Sequence, residues 1–261
     1  MGLLNKLFGG STTKEEGRSP NQRAPLKNSK YFEAALKLRD ENIVMDRKTR
    51  DTLLLQGKAE PYHDWSMSYD YLLKFFTAYS MGQPIEQCYD IFITAATWYA
   101  NGWEKDSAYA DMLEMVSIGY LLQIPDDKFN GIVHYIEQSD KGSDYPFWKP
   151  DGILWFIINA RKPNEQRQQP DGLISPSQYQ SLLDLTSMNK ADAEVAMKQY
   201  LENWYGLHKD DPWYDNHKAD LAYTGYWCWE AGAITKIMHL DDSSYKDSPY
   251  YPYDLVHWNK A

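Results

Sequence analysis

The chain reads as an all-α protein: a compact multi-helix bundle of roughly eight to ten helices arranged as two contiguous helical halves. Three observations predict this. Apolar residues recur at helical spacing from Tyr31 almost to the C-terminus. Start and stop residues punctuate that pattern at defined places. No run alternates long enough to argue for a strand. With 261 residues, 43% apolar and 15% aromatic, the chain can bury a sizeable core as one large domain or two small ones.

The elements follow in order. Residues 9–29 are polar, interrupted by Gly and Pro and without period, so residues 1–26 are expected to be a flexible basic leader. Helical signals start at Tyr31. Ser66 is placed to cap a helix running through Ser80, with Gly82 as its stop, and Pro84 stands just before the next. That helix carries Cys88, Phe92, Ala95, Ala96 and Tyr99 on one face. Asp106 is read as the cap of a third helix bearing Tyr109, Met112, Leu113, Val116 and Tyr120. Asp126 starts a fourth, with Phe129, Ile132, Val133 and Ile136.

A turn-rich stretch, SDYPFWKPDG at 143–152, divides an N-terminal part, 27–149, from a C-terminal part, 150–261. Beyond Ile153–Arg161 the segment 162–176 is the clearest loop. Ser175-Pro176 gives an N-cap with proline at the first helical position. Asn189 and Asp192 have capping-box-like spacing ahead of Ala193, Met197, Tyr200, Leu201 and Trp204, and Gly206 is the natural terminator. A last long helix is expected from about Lys218 to His239. On it Gly225, Cys228, Gly232 and Thr235 form a small-residue stripe, and Tyr223, Trp227, Glu230, Ile234 and Met238 share a second face.

Charge narrows the function classes. The formal net charge is −10, yet residues 1–30 hold six basic and two acidic side chains. The acids gather in 106–151, nine against three lysines, and in 201–254, ten against four. A body this acidic repels phosphate backbones, so direct nucleic-acid binding is not expected, whereas a basic protein partner would be steered toward it. Two cysteines, Cys88 and Cys228, are too few for a disulfide framework or a zinc cluster, and both are read as packed within helices. No apolar stretch is long enough to span a bilayer, and Met1–Gly10 lacks a secretion signal's cleavage site, so a cytoplasmic location is expected. Leu3, Leu4, Leu7 and Phe8 beside Lys6 leave membrane contact by the leader as an alternative to an idle terminus.

Chemistry is sparsely encoded. His208, Asp210, Asp211, Asp215 and His217 are the densest set of metal-ligand types, but their spacing fits no zinc or calcium template. No nucleophile elbow, phosphate loop or dinucleotide fingerprint occurs. Asp126-Asp127 and Asp241-Asp242 are placed at helix starts, where carboxylates favour the dipole. Glu230 falls on an apolar stripe, so it needs a partner such as a tyrosine hydroxyl or a helix N-terminus; a catalytic carboxylate with a raised pKa is the sharper alternative. Neither metal nor cofactor nor catalytic residue is expected. Glu202, Asp210, Asp211, Asp215 and Asp220, mixed with Trp213 and Tyr214, form the candidate partner surface, aromatic anchors with a charged rim.

The run GYWCWEAGAITKIMHLDDSSYKDSPYYPYDLVHW at 225–258 resembles the end of the PoNi immunity proteins. Tyr226, Trp227, Glu230, Ala231, Asp241, Asp242, Pro249, Tyr250, Tyr251, Pro252, Tyr253 and Asp254 fit that family's aromatic-Glu-Ala helix, Asp-Asp-Ser turn and Tyr-Tyr-Pro-Tyr-Asp-Leu tail. Residues 27–149 look like the family's N-terminal helical part. The resemblance implies a cytoplasmic antitoxin that binds the nuclease domain of a PoNe-type DNase effector directly, commonly one delivered between bacteria by type VI secretion; the acidic body adds the expectation of a basic cleft as its target, with inhibition from a site outside the cleft as the alternative. It identifies no toxin-contacting residue, and the shared tail positions are expected to be structural. The alternatives are an antitoxin or scaffold for another effector class, and a helical metal-dependent hydrolase using Glu230 or the 208–217 cluster.

Overall fold

Local signals set most of the helix boundaries. Asn28 opens α1 (Ser29–Leu55) by accepting from the Tyr31 amide. α2 (Pro61–Met81) starts five residues before Ser66: Pro61 takes the first helical position and the Glu60 amide donates to His63 Nδ1. Ser66 instead bonds Asp46 across to α1. Gly82 ends α2 in the left-handed region at φ 94°, as its position predicts. α3 (Ile85–Tyr99) follows Pro84. α4 (Tyr109–Leu121) begins after Ala108, so Asp106 is no cap; residues 102–108 form a loop held by the Glu104 amide on Ser107 Oγ.

α5 (Asp126–Gly142) starts at the expected acid pair. α6 (Gly152–Asn159) is capped by Asp151, fully buried, whose carboxylate accepts from Ile153, Leu154 and Ile174 amides. α7 (Pro176–Leu185) has the Ser175-Pro176 start. α8 (Lys190–Leu207) has Asn189 accepting from the Asp192 amide, and it passes through Gly206 before ending. α9 (Trp229–Met238) and α10 (Tyr253–His257) close the chain. The structure, a computed structural model, describes residues 17–259, and among these it is helical with no strand.

The expected helix from Lys218 to His239 is half that length. Leu221 and Gly225 adopt φ values of 53° and 104°, which no α-helix tolerates, so 219–228 runs as an irregular segment and helix begins at Trp229. The glycine–cysteine stripe is therefore not a helical face, and Cys228 stands at the α9 N-cap rather than inside a helix. Asp241-Asp242 likewise opens a turn, with Tyr245 and Lys246 amides donating to the Asp242 carbonyl, not a helix.

One continuous core joins the two halves. α2 packs between α1 and α3, and α9 lies against α4 at the centre. Trp229 stacks on Phe76 at 5.6 Å and meets Phe75, Tyr79 and Trp227 within 6.0 Å, so residues from both halves share one aromatic knot. Beside it, Ser80 Oγ of α2 donates to the Thr224 carbonyl and accepts from Trp227 Nε1.

Of the expected leader, residues 17–26 lie against the body. Ala24 is fully buried. Arg23 donates to the Tyr79 and Gln83 carbonyls, covers the Tyr79 ring at 4.5 Å, and pairs with Asp254 at 2.6 Å. That strap ties the start of the chain to both α2 and α10. The leader positions Leu3, Leu4, Lys6, Leu7 and Phe8 lie outside the described residues.

Candidate functional site

The 201–220 segment divides into structural and exposed members. Trp204, at the end of α8, is buried; Trp213 stacks on it at 5.4 Å, and Tyr214 stacks on Tyr205 at 4.5 Å. Both Trp213 and Tyr214 are thus half-buried parts of an aromatic cluster that also holds Tyr226 and Tyr250. Asp211 lies 2.6 Å from His208 Nδ1 and accepts from Gln178. Asp215 accepts from the Tyr205 hydroxyl and from Lys218, and the lysine and tyrosine hold its carboxyl below the usual range. Glu202, Asp210 and Asp220 remain exposed.

The same residues show what becomes of the ligand-rich cluster. His208 is buried between Tyr179, Trp204 and Trp213, and His217 sits against the Tyr226 hydroxyl at 2.8 Å. Asp215 faces Lys218 rather than a shared centre. Among the described residues no group of three or more His, Cys, Asp or Glu is placed to hold a metal ion.

Glu230, in the first turn of α9, is buried and accepts from Trp204 Nε1 at 3.0 Å, Cys228 Sγ at 3.1 Å and the Tyr200 hydroxyl at 3.3 Å. Three donors on one oxygen make this a satisfied core carboxylate that joins α8 to α9. Burial, and then the negative charge of Glu230, raise the Cys228 thiol well above its ordinary range, so Cys228 is no nucleophile.

Of the other tail positions Tyr226, Asp242, Tyr250 and Tyr251 are buried and Trp227 half-buried, while Asp241, Tyr253 and Asp254 are exposed but make contacts within the chain. Asp242 accepts the Tyr251 hydroxyl at 2.8 Å and lies 2.7 Å from His257 Nε2. Tyr250 offers its carbonyl to the Cys228 amide. Trp227 reaches Ser80, Asp254 pairs with Arg23, and Asp241 accepts from Ser243 while its amide donates to Glu194. Tyr253, more exposed, packs its ring 4.4 Å from His257.

Two carboxylates that sequence reasoning did not single out lie on α4, one helical turn apart. Asp111 accepts from Trp65 Nε1 at 3.0 Å, and burial pushes its pKa up to about 6. Glu114 is raised well above its ordinary range by burial, and then by the charges of Asp111, Glu230 and Asp211. Both keep partial exposure. The spacing i, i+3 was the available signal, but on an amphipathic helix it matches any solvated row. Asp70 on α2 is also raised to about 6, by burial and by neighbouring Asp46. Asp70 is buried and has Arg39 near it, whereas Asp111 and Glu114 are partly exposed and have no ion-pair partner among the described residues.

Comparison with known proteins follows the same division of the chain. A family model described as PoNe immunity protein (PoNi), N-terminal, matches residues 23–134, and one described as PoNe immunity proteins (PoNi), C-terminal, matches residues 149–255. The fold is similar to the crystal structure of protein PA2201 from Pseudomonas aeruginosa, with a TM-score of 0.65, 15% identity and 90% of each chain covered. No curated protein matches the sequence.

Proposed function

The chain belongs to the PoNe immunity protein (PoNi) family, and we propose that it neutralises a cognate PoNe-type DNase toxin by binding it directly in the cytoplasm. The two family matches, which together reach from residue 23 to residue 255, carry this reading. The family is one of immunity proteins rather than enzymes, and among the described residues no helix is long and apolar enough to cross a membrane. The toxin is, on this reading, an effector delivered between bacteria by type VI secretion.

Chemistry supports the pairing. A DNase must attract phosphate, so its cleft is basic, and a net charge of −10 favours encounter with such a surface. Covering the cleft would exclude DNA without any catalytic step. Parts 27–149 and 150–261 would act as one body in this role, since a common core joins them. The tail positions Tyr226 to Asp254 would serve the fold and not the toxin.

Within 201–220, the exposed Glu202, Asp210 and Asp220 would act as steering charges, with Asp211, Trp213, Tyr214 and Asp215 shaping the surface behind them. Replacing Glu202 with Gln and Asp210 and Asp220 with Asn together should slow association with the purified toxin domain about 3- to 10-fold at low salt and flatten its salt dependence, with little change in dissociation. Stopped-flow or surface-binding kinetics read this directly. An unchanged low-salt association rate would remove these acids from the encounter surface.

A further inference from the structure

Two aromatic side chains stand in water on one tight turn at the seam between the halves. Tyr145 is 52% and Phe147 75% exposed, with their rings edge to face at 6.1 Å. The turn is firmly held. The Trp148 amide donates to the Tyr145 carbonyl, the Tyr145 amide to Ser143 Oγ, and both the Asp144 amide and Ser143 Oγ to the Lys105 carbonyl. Behind it, the Trp148 and Trp155 indoles donate to the same Asp140 carboxylate at 3.1 and 2.8 Å. A phenylalanine kept in solvent on a hydrogen-bonded turn forgoes its burial energy in the free protein and regains it when a partner covers it.

The turn continues into a second aromatic row. Next to Lys105, Glu104 accepts from the Tyr62 amide, and Tyr62, itself 51% exposed, leads the row Tyr62–Trp65–Tyr69 with centroids 5.6 and 5.3 Å apart. Trp65 then bonds Asp111, one turn from Glu114. Among the described residues Glu114 makes no hydrogen bond or ion pair within the chain, although it is partly open to solvent. Along this face Glu104, Asp111 and Glu114 are partly exposed and Asp106 and Asp144 exposed, against Lys105, so its charge suits a basic partner. The other exposed apolar row, Val44, Met45, Leu54 and Leu55 on α1, is interleaved with charges of both signs, Arg47, Lys48 and Arg50 with Asp46 and Asp51, and so offers a basic surface less net attraction.

We propose that this face is where the toxin domain docks: Tyr145, Phe147, Tyr62 and Tyr69 bury against it, and an arginine or lysine of the toxin faces Asp111 and Glu114. The inference rests on the binding reading above and names its surface. It divides the labour between the steering acids of 202–220, which govern encounter, and the aromatic face, which governs residence. Burial holds the Glu114 carboxyl well above its ordinary range in the free protein, and a cation brought against it by the toxin would favour the carboxylate form.

The test uses the full chain and the purified cognate toxin domain. The double variant Tyr145→Ala/Phe147→Ala should raise the dissociation rate about 10-fold or more, whereas Leu55→Ala should leave it unchanged. Glu114→Gln should weaken binding about 3-fold or more. Melting temperatures establish that each variant is folded: the turn variant should melt as the native chain does, and Glu114→Gln should melt no lower. Wild-type binding with dissociation within about 2-fold of native in the turn variant, or undiminished affinity in Glu114→Gln, would overturn the inference and leave the immunity reading standing. Absence of binding by the wild-type chain to an active toxin domain would overturn both.

Discussion

Replacing Gly225 with alanine is expected to destabilise the protein by about 3 kcal/mol or more, lowering its melting temperature by roughly 6–12 °C. Two independent costs combine. At φ 104° an L-residue is strained whatever its surroundings, and a Cβ there would collide with Ser80 Oγ and Trp227 Nε1. Ser80 cannot retreat cheaply, because it donates to the Thr224 carbonyl at 2.5 Å while accepting the Trp227 indole. Displacing it would leave buried polar groups without partners, at about 1–3 kcal/mol each, and would loosen the packing of Trp227 on Tyr79 and Trp229. Gly206→Ala is the matched control: nothing lies within 4 Å of its added methyl and it sits in helix, so a gain of about 0.5–1 kcal/mol is expected. Thermal or denaturant unfolding of both variants measures this. Equal stabilities would mean that the 219–228 segment does not lock the halves together.

The second large effect is a fall in stability as pH rises from about 4 to about 6. Asp111 and Asp70 each titrate near 6 in the folded state against an ordinary 3.8, so across that window the native protein holds protons that the unfolded chain has released. Stability therefore decreases with rising pH, and the loss is complete above the folded pKa values. A tenfold change in a carboxyl's proton affinity on folding corresponds to about 1.4 kcal/mol, giving an upper bound near 3 kcal/mol per group, and less for Asp70, whose titration is coupled to Asp46. Glu114, raised by burial, contributes in the same direction. Asp111→Asn keeps an oxygen for the Trp65 indole and should flatten the pH profile while raising stability at neutral pH by about 2 kcal/mol. Denaturant unfolding at pH 5 and pH 7.5 decides the matter. A native profile that rises with pH over this range would contradict the assignment of these carboxyls as groups whose proton affinity burial raises.

Sequence legibility tracked the range of the forces involved. Helix ends set by one or two neighbouring residues were readable: Gly82 in the left-handed region, Pro84 before α3, and Asn189 capping α8 through Asp192. The burial of Glu230 was readable too, because an acid on an apolar stripe must be satisfied, and Tyr200 and Trp204 satisfy it. The break at 219–228 was not, since the apolar spacing continues through Leu221 and Gly225 while contacts from Ser80, in the other half, set the backbone there. The exposed row that begins with Tyr145 and Phe147 was equally hidden. Aromatic residues in SDYPFWKPDG fit a core or a surface alike until the Trp148 and Trp155 indoles take the inner positions on Asp140 and leave Phe147 outside. Glu114 was missed for the same reason, because its neighbours Glu230 and Asp211 come from distant segments.

The most direct test of the central claim is to titrate the chain into a fixed concentration of purified cognate PoNe toxin domain and follow DNA cleavage. Direct neutralisation predicts that cleavage falls linearly and vanishes at equimolar protein, with a complex of matching stoichiometry on size-exclusion chromatography. Full cleavage in the presence of excess folded chain, or protection at far less than equimolar amounts, would contradict it.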